Sequence, residues 1–338
     1  MALTLAQIIT NQLFLQSVIE ASVKKNAFIQ SGVATPDAAI AAVLAAGGTY
    51  AEGQSINMNF IRRWDATAQM PGTTANPVVP DGTTMDQDAA PFILRDFAFG
   101  ADTFAGERAN HNFAQSAAAQ IGEVHATFWQ RTLFNVLEGV FANNALPSTQ
   151  PAPPATPLPA LGNDGDLVMD ISGDMGDKTS LLEAAQLLGD AKGKLAAIAM
   201  HSQAETYFNT IGSISYVAPA KDMPAILPYY NGRPVIVDDE CPFDPTTGVA
   251  GITLFAQGAI AHNPIARAIP FGAERDEKAN SDTLVSRIGG IMHLRGIKYK
   301  GGYDRKTITD ASLKAAASWE RVWDKKLIGC CRLLCKVA

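Results

Sequence analysis

The feature that most constrains the fold of this sequence is a long amphipathic stretch between residues 107 and 142. Its apolar positions recur at helical spacing and leave polar positions on the opposite face. The apolar positions are Phe113, Ala117, Ile121, Val124, Phe128, Val136, Val140 and Phe141, and the polar ones are His111, Gln115, Glu123, Gln130 and Glu138. One helix of this length would span about 54 Å, whereas helices in compact domains average about 11 or 12 residues. We predict one spine helix; the alternative is two helices broken at Gly122, since an interior glycine costs about 1 kcal/mol.

Composition and charge limit the classes of protein. The 338 residues allow two domains and a sizeable core. A formal net charge of -6 argues against sequence-independent nucleic-acid binding, which needs clustered Lys and Arg to displace phosphate counterions. The N-terminus has no basic start, and no run approaches about 18 apolar residues, so neither export nor a membrane span is predicted. We expect a soluble cytoplasmic protein. If this protein contacts DNA, we expect it to enclose the DNA and not to bind it tightly.

Two loop-rich segments flank the spine helix. Residues 56–60 and 97–99 alternate apolar and polar side chains, which predicts two strands that could pair. The residues between them are rich in Pro, Gly, Thr and Asp, so a long projecting hairpin that lies on a neighbouring molecule is expected. Residues 145–165 are rich in proline, which favours extended conformation and ends the spine helix.

The second half of the chain alternates helix and strand patterns. Ser180 and Ser202 each precede a Glu three residues later, as in a capping box, and this predicts two helix starts. Strands are predicted at residues 195–201, 233–239, 251–256, 285–300 and 326–337. These elements indicate a mixed α/β sheet.

The motifs that would indicate an enzyme are weak. Residues 189–195 resemble a phosphate loop but are one residue short and carry Leu where the Mg²⁺-binding hydroxyl belongs. Asp238 and Glu240 follow a strand and point to the same side, so they are the best candidates for a metal-dependent hydrolase. No second acidic cluster is evident, and we interpret them as part of a solvated turn. His201 and His293 are interpreted as structural histidines, so no catalytic, cofactor or metal site is predicted.

The four cysteines do not form a metal motif. Cys241 stands alone, and Cys330, Cys331 and Cys335 lie in the last predicted strand without a C-x-x-C pair. Reduced, packed thiols are predicted, with intersubunit disulfides as the main alternative.

Several stretches together resemble one known family. They are LRDFAFGADTFAGERANHNFAQSAAAQIGEVHATFWQRTLFNVLEGVFANN, AAIAMHSQAETYF, GRPVIVDDECP, TLFAQGAIAH and SWERVWDKKLIG. In this order they are similar to the tailed-phage major capsid proteins of the Hong Kong 97-type fold, over nearly the full length. The resemblance implies an α+β capsid fold with an N-terminal arm, an extended β-hairpin loop, a peripheral domain that contains the spine helix, and a mixed α/β axial domain. Its implied bounds are 1–47 for the arm, 48–100 for the extended loop, 101–175 and 283–338 for the peripheral domain with spine helix 107–142, and 176–282 for the axial domain.

The resemblance also implies a function. The chain would assemble into hexamers and pentamers of an icosahedral shell that encloses a double-stranded DNA genome without sequence-specific binding. It would act with a scaffolding protein and a portal, with decoration proteins as a further class of partner, assemble in the host cytoplasm, and be part of the virion. It would not be an enzyme and would need no cofactor. The alternatives are a bacterial nanocompartment shell of the encapsulin type and the hydrolase of Asp238 and Glu240.

One departure from some relatives concerns the extended loop. Certain shells of this family are locked by a Lys to Asn isopeptide bond that starts from a loop lysine, but this chain has no lysine between Lys25 and Lys178. The covalent link is therefore not expected. Arg62, Arg63 and Trp64 are predicted instead to make noncovalent intersubunit contacts, since Arg and Trp are enriched at interface hot spots. The alternative is that Trp64 packs under its own loop.

Overall fold

The computed structural model describes residues 27–45, 55–61, 72, 85–102, 113–142, 151–152, 156–157, 167–217, 227–265, 267, 269–276, 281–302 and 307–338. The predicted arm before residue 27 and most of the extended loop therefore lie outside the described residues. The described α-helices are α1 (Ala27–Gln30), α2 (Ala38–Ala45), α3 (Phe113–Phe141), α4 (Ser180–Gln186), α5 (Ser202–Thr210) and α6 (Asp310–Lys314). Two short 3-10 helices occupy Gly189–Lys194 and Ala316–Ser318.

The strands fall into two large sheets and three small ladders. In chain order they are β1 (Ala34–Thr35), β2 (Ile56–Ile61), β3 (Met85–Ala90), β4 (Phe92–Asp102), β5 (Pro151–Ala152), β6 (Thr156–Pro157), β7 (Val168–Met175), β8 (Leu195–Met200), β9 (Ser215–Val217), β10 (Leu227–Tyr230), β11 (Arg233–Val237), β12 (Phe243–Asp244), β13 (Val249–Ala256), β14 (Ile260–Pro264), β15 (Phe271–Asp276), β16 (Ser281–Leu294), β17 (Ile297–Tyr299), β18 (Trp319–Arg321) and β19 (Cys330–Lys336). Helices and strands are mixed throughout, which confirms the α+β class.

The larger sheet has eight strands and contains the centre of the core. Its order is β7-β19-β13-β8-β11-β10-β9, with β12 beside β13. At the middle of the sheet Leu254 lies opposite Ile198 on one side and Cys331 on the other, and all three are buried. Phe28 on α1 packs edge-on against Phe255 of this sheet, with ring centroids 6.0 Å apart. A near-continuous apolar run in the central strands follows from burial on both faces.

The smaller sheet has five strands and corrects one predicted pairing. Its order is β1-β14-β16-β15, and β4 pairs with the long strand β16. Both strands predicted near 56–60 and 97–99 are present, but β2 pairs with β3 and not with β4. The predicted pairing was wrong because apolar alternation fixes which face of a strand is buried and does not fix its partner.

The spine helix α3 is unbroken through Gly122, so the alternative of two helices is wrong. It contacts β16, α6 and β18. Between residues 120 and 130 one stripe is buried, as predicted, with Ile121 and Trp129 buried and Glu123 and Thr127 exposed. The second half is buried nearly all round, with Thr132 and Asn135 among the buried residues, because elements of the C-terminal region cover its second face. No helix in the described ranges combines the length and apolar character that a membrane crossing needs.

Two predicted element ends differ in detail. The strand predicted at 285–300 is split into β16 and β17 by a turn at Gly296, whose φ of +85° suits glycine. Helix α5 begins at Ser202, but its cap is His201, whose Nδ1 accepts a hydrogen bond from the Gln203 amide. Helix α4 begins at Ser180, close to the predicted start, but its cap position is Thr179, and Asp177 Oδ1 accepts the Ser180 amide.

Candidate functional site

The acidic turn after β11 lies against the middle of the spine helix. The side chain of Asp238 accepts hydrogen bonds from Gln130 Nε2 and, at 2.9 Å, from the Glu240 amide. Glu240 accepts a salt bridge from Arg131 Nη2 at 2.9 Å. The turn is solvated at Asp239 and Glu240, as interpreted, but Asp238 is half-buried, and Asp238 and Glu240 also link the end of β11 to the helix.

The electrostatics of this turn also favour an anchor over a metal site. Burial raises the pKa of Asp238, with hydrogen bonds from the Glu240 amide and Gln130 opposing the shift. Hydrogen bonds from Ser202 lower the pKa of Asp239, which is exposed. Within the described ranges, no three His, Cys, Asp or Glu side chains are grouped so that they could hold a metal ion. Asp238 and Glu240 are thus engaged by the helix and do not converge on an open site.

The two histidines singled out by sequence have structural partners. His201 caps α5, and its ring stacks on Phe243 with centroids 4.7 Å apart. His293, on β16, is fully buried, and its Nε2 donates to Asp88 Oδ2 at 3.0 Å. The same carboxylate oxygen accepts the Gly296 amide at 3.0 Å. Asp88 therefore fastens the β2–β3 hairpin to the turn that follows β16.

The contacts of Asp88 favour the ionised form of its buried carboxyl group. Burial of Asp88 by itself raises the pKa of the carboxyl, but the charge of His293 and the hydrogen bonds from His293, Gly296 and Ala89 outweigh it and lower the pKa overall. An ionised Asp88 is consistent with the general finding that buried charges are paired.

Two further histidines join the spine helix to the five-stranded sheet. His125 on α3 is hydrogen-bonded to Ser286 Oγ at 2.9 Å. His262 on β14 packs edge-on against Trp129, with centroids 5.0 Å apart. Burial lowers the pKa of each of these histidines to about 4. Both rings are neutral at physiological pH and act as packed core side chains.

All four cysteines are free and buried, as predicted. Burial raises the pKa of Cys331 and Cys335 to about 12, and it raises the pKa of Cys241 and Cys330 as well. Because the thiolate is the reactive form, these thiols are unreactive at neutral pH.

The predicted contact residues Arg62, Arg63 and Trp64 lie outside the described residues. The hairpin that leads to them is described up to its outermost pair, Ile61 on β2 and Met85 on β3. These two side chains are 61% and 70% exposed.

The sequence analysis did not predict the contacts that position Asp88 and the acidic turn. The pairing of Asp88 with His293 had a usable signal, because Asp86 and Asp88 occupy alternate positions that lead into the apolar Ala90, and a buried carboxylate needs a partner. The attachment of the acidic turn to Gln130 and Arg131 had no signal, since residues more than 100 positions apart meet there.

Comparison with known proteins gives a match along almost the entire sequence. No family model matches the chain. The major capsid protein of Bacillus phage SPP1 is 28% identical over 331 residues, which cover 96% of this chain and 95% of that protein. The similarity therefore extends through both sheets and the spine helix.

Solved structures establish the fold. The capsid of a native GTA particle superposes with a TM-score of 0.51 and 11% identity, covering 83% of this chain and 85% of that one. The holo-SrpI encapsulin complex of Synechococcus elongatus PCC 7942 gives a TM-score of 0.46 at 11% identity, covering 85% and 84% of the two chains, a likeness too low to favour either kind of shell. The predicted resemblance is confirmed: the chain is similar to a phage major capsid protein along almost its entire length and has the Hong Kong 97-type fold.

Proposed function

We propose that this protein is the major capsid protein of a phage, the subunit of an icosahedral shell around a double-stranded DNA genome. The observation that carries the proposal is the 28% identity to a phage major capsid protein over 96% of the chain. The shell fold supports it independently of sequence identity. A nanocompartment shell is less well supported, because the full-length relative is a phage protein.

The parts of the subunit have separate roles in this proposal. Residues 1–47 form an arm, residues 48–100 an extended loop, residues 101–175 with 283–338 a peripheral domain, and residues 176–282 an axial domain around the five-fold and six-fold positions of pentamers and hexamers. The pairing of β2 with β3 is consistent with an extended hairpin loop. The length of helix α3 is consistent with a spine helix.

The shell encloses DNA without binding it strongly. A net charge of -6 gives the subunit no general attraction for phosphate, and strong binding to the lining would oppose release of the genome. Assembly takes place in the host cytoplasm with a scaffolding protein and a portal, and decoration proteins are a further class of partner. The protein has no catalytic role, which agrees with the use of Asp238 and Glu240 as helix anchors.

The experiment that tests this function is electron microscopy with light scattering on the purified protein, alone and with the scaffolding candidate encoded beside it. Closed particles, or regular hexamers and pentamers, are expected. A monomer or dimer under every condition would contradict the proposal. A portal at one vertex distinguishes a phage shell from a nanocompartment.

The extended loop gives a sharper test. Arg62, Arg63 and Trp64 contribute to the contact with a neighbouring subunit, as hot-spot residues often do. Replacing all three with Ala is expected to abolish closed shells while the thermal unfolding of the dissociated subunit stays unchanged. Normal shells from this variant would show that the three residues do not support assembly.

A further inference from the structure

A basic groove lies at the end of the eight-stranded sheet where β8 and β19 begin and β13 ends. It has a volume of about 660 Å³ and is formed by the loop before β8, the turn between β13 and β14, and the segment between β18 and β19. Its charged lining residues are Lys194, Arg295 and Lys326, and no Asp or Glu of the described residues lines it. Positive charge is therefore concentrated here on a chain whose net charge is -6.

Two of the three cations can meet a ligand from solvent. Lys194 is exposed, and its ammonium group has no ion-pair or hydrogen-bond partner in the part of the chain that the structure describes. Lys326 pairs with Asp190 at 2.9 Å, but the two side chains are 52% and 77% exposed, and such exposed ion pairs are weak. Because an ammonium group has three donors, Lys326 can bind a second carboxylate while it keeps Asp190.

The third cation is fixed in place. Arg295 Nη1 donates to the Gly258 carbonyl at 2.8 Å, and its Nε lies 2.9 Å from Asp37 Oδ2. Behind the groove, Arg233 Nη2 donates to the Lys192 carbonyl at 3.3 Å, so two further basic side chains lie close to the loop before β8. Clefts lined by charge of one sign attract ligands of the opposite sign, and the groove therefore favours an anionic ligand.

The groove also presents apolar surface. Trp323 lines it and is held in place, since its amide donates to the Gly296 carbonyl at 3.2 Å and its ring packs edge-on against Phe60 with centroids 5.9 Å apart. Leu327 lines it as well and is 52% exposed. A ligand that covers this leucine gains apolar burial. A matching ligand therefore combines carboxylates or phosphates with an apolar side chain.

These properties suit an acidic peptide better than DNA. A duplex carries one negative charge per about 1.7 Å of its axis and is bound through many clustered cations, whereas three cations line this groove. The phosphate backbone also offers no apolar group to Leu327. A short peptide with a few carboxylates and one apolar side chain matches both the charge and the exposed leucine.

The sequence indicates that the peptide comes from another protein. None of the segments outside the described residues has more than two Asp or Glu residues, and residues 1–26 have one Glu and two Lys. These segments of the chain therefore lack the charge that complements the groove.

We propose that this groove binds an acidic peptide segment of a partner protein, with carboxylates on Lys194 and Lys326 and an apolar side chain against Leu327 and Trp323. The inference goes beyond the proposed function, because it adds a docking site for a second kind of protein and does not depend on the formation of a closed shell.

The test measures binding of a fluorescently labelled synthetic peptide, with two glutamates on each side of one leucine, to the dissociated subunit by fluorescence anisotropy. Binding is expected to weaken as salt is added, because the contacts are exposed charge pairs. A peptide with glutamine in place of every glutamate is expected to bind at least about tenfold more weakly. A peptide with serine in place of the leucine is expected to lose about fivefold.

Variants of the subunit locate the binding. Lys194→Gln together with Lys326→Gln is expected to lower the affinity at least about tenfold, and Leu327→Ser about fivefold. Lys314→Gln together with Lys336→Gln is the matched control, since it changes the net charge equally and neither residue lines the groove; it should leave binding unchanged. The Tm of the first double variant is expected to stay unchanged, because both lysines are exposed.

Several outcomes would overturn the proposal. It fails if the glutamate peptide does not bind, if the two double variants lose affinity equally, or if a DNA duplex or inorganic phosphate displaces the peptide at equal ionic strength. It also fails if Lys194→Gln with Lys326→Gln abolishes closed shells of the protein on its own, which would assign the groove to a second copy. Shells without peptide binding overturn only this inference, and peptide binding without shells overturns only the proposed function.

Discussion

A single buried carboxylate, Asp88, connects the β2–β3 hairpin to the body of the subunit. Replacing it with Ala leaves His293 Nε2 and the Gly296 amide without their acceptor, so we expect a loss of about 3 kcal/mol in the free energy of unfolding, measured with urea on the dissociated subunit. Asp96→Ala is the control, because Asp96 forms an exposed pair with Arg287 at 3.7 Å, which is worth less than about 1 kcal/mol. Equal losses in the two variants would show that burial of Asp88 adds nothing.

Buried neutral histidines make the subunit sensitive to acid. The pKa of His125 and of His262 is about 4 in the folded chain, below the value of about 6.5 for an unfolded histidine. Between these values the unfolded chain binds more protons, so stability is present above pH 6.5 and is lost as the pH falls toward 4. Urea unfolding across this range should show a shallower decline for His262→Gln than for the unchanged protein. Parallel declines would rule His262 out as a source of the acid sensitivity.

At the scale of elements, the packing of the spine helix depends on one glycine. A Cβ at Gly139 would clash with Leu313 O and Trp319 Nε1, which are hydrogen-bonded to each other at 2.7 Å. Although alanine favours a helix by about 1 kcal/mol, we expect Gly139→Ala to destabilise the subunit by about 1 to 3 kcal/mol in thermal or urea unfolding. Gly173→Ala on β7 is the matched control, since nothing lies within 4 Å of the added Cβ. Stabilisation by Gly139→Ala would mean that α6 and β18 can move away from the added methyl group at little energetic cost.

Local signals in the sequence predicted the elements better than their partners. The periodicity around Ile121 and Val136 identified the spine helix, and the apolar runs identified β8, β11, β13 and β19. The pairing of β4 with β16, and the burial of Thr132 and Asn135, depend on segments far away in sequence. The burial of Arg332 against Phe141 was equally invisible, because it results from a buried strand meeting the end of a helix.

At the scale of the whole molecule, the subunit is incomplete as an isolated unit. The described part of its β2–β3 hairpin stops at an exposed apolar pair, Ile61 and Met85. This pair leaves surface that is unfavourable in water and becomes favourable once a partner covers it. A shell subunit buries such surface against a neighbour, whereas an enzyme would be expected to concentrate it around a reacting substrate.

The exposed pair at the end of the hairpin gives the last prediction. Ile61 and Met85 lie opposite each other on the same face as Asn59 and Gln87. If a neighbouring subunit covers this face, Ile61→Asp together with Met85→Asp will place two charges in an apolar contact, and closed shells should be lost in electron microscopy while subunit Tm is unchanged. Asn59→Asp with Gln87→Glu adds the same charge to the same face without removing apolar surface, so it should weaken assembly much less. Equal shell yields from both double variants would show that the apolar pair is not part of the contact.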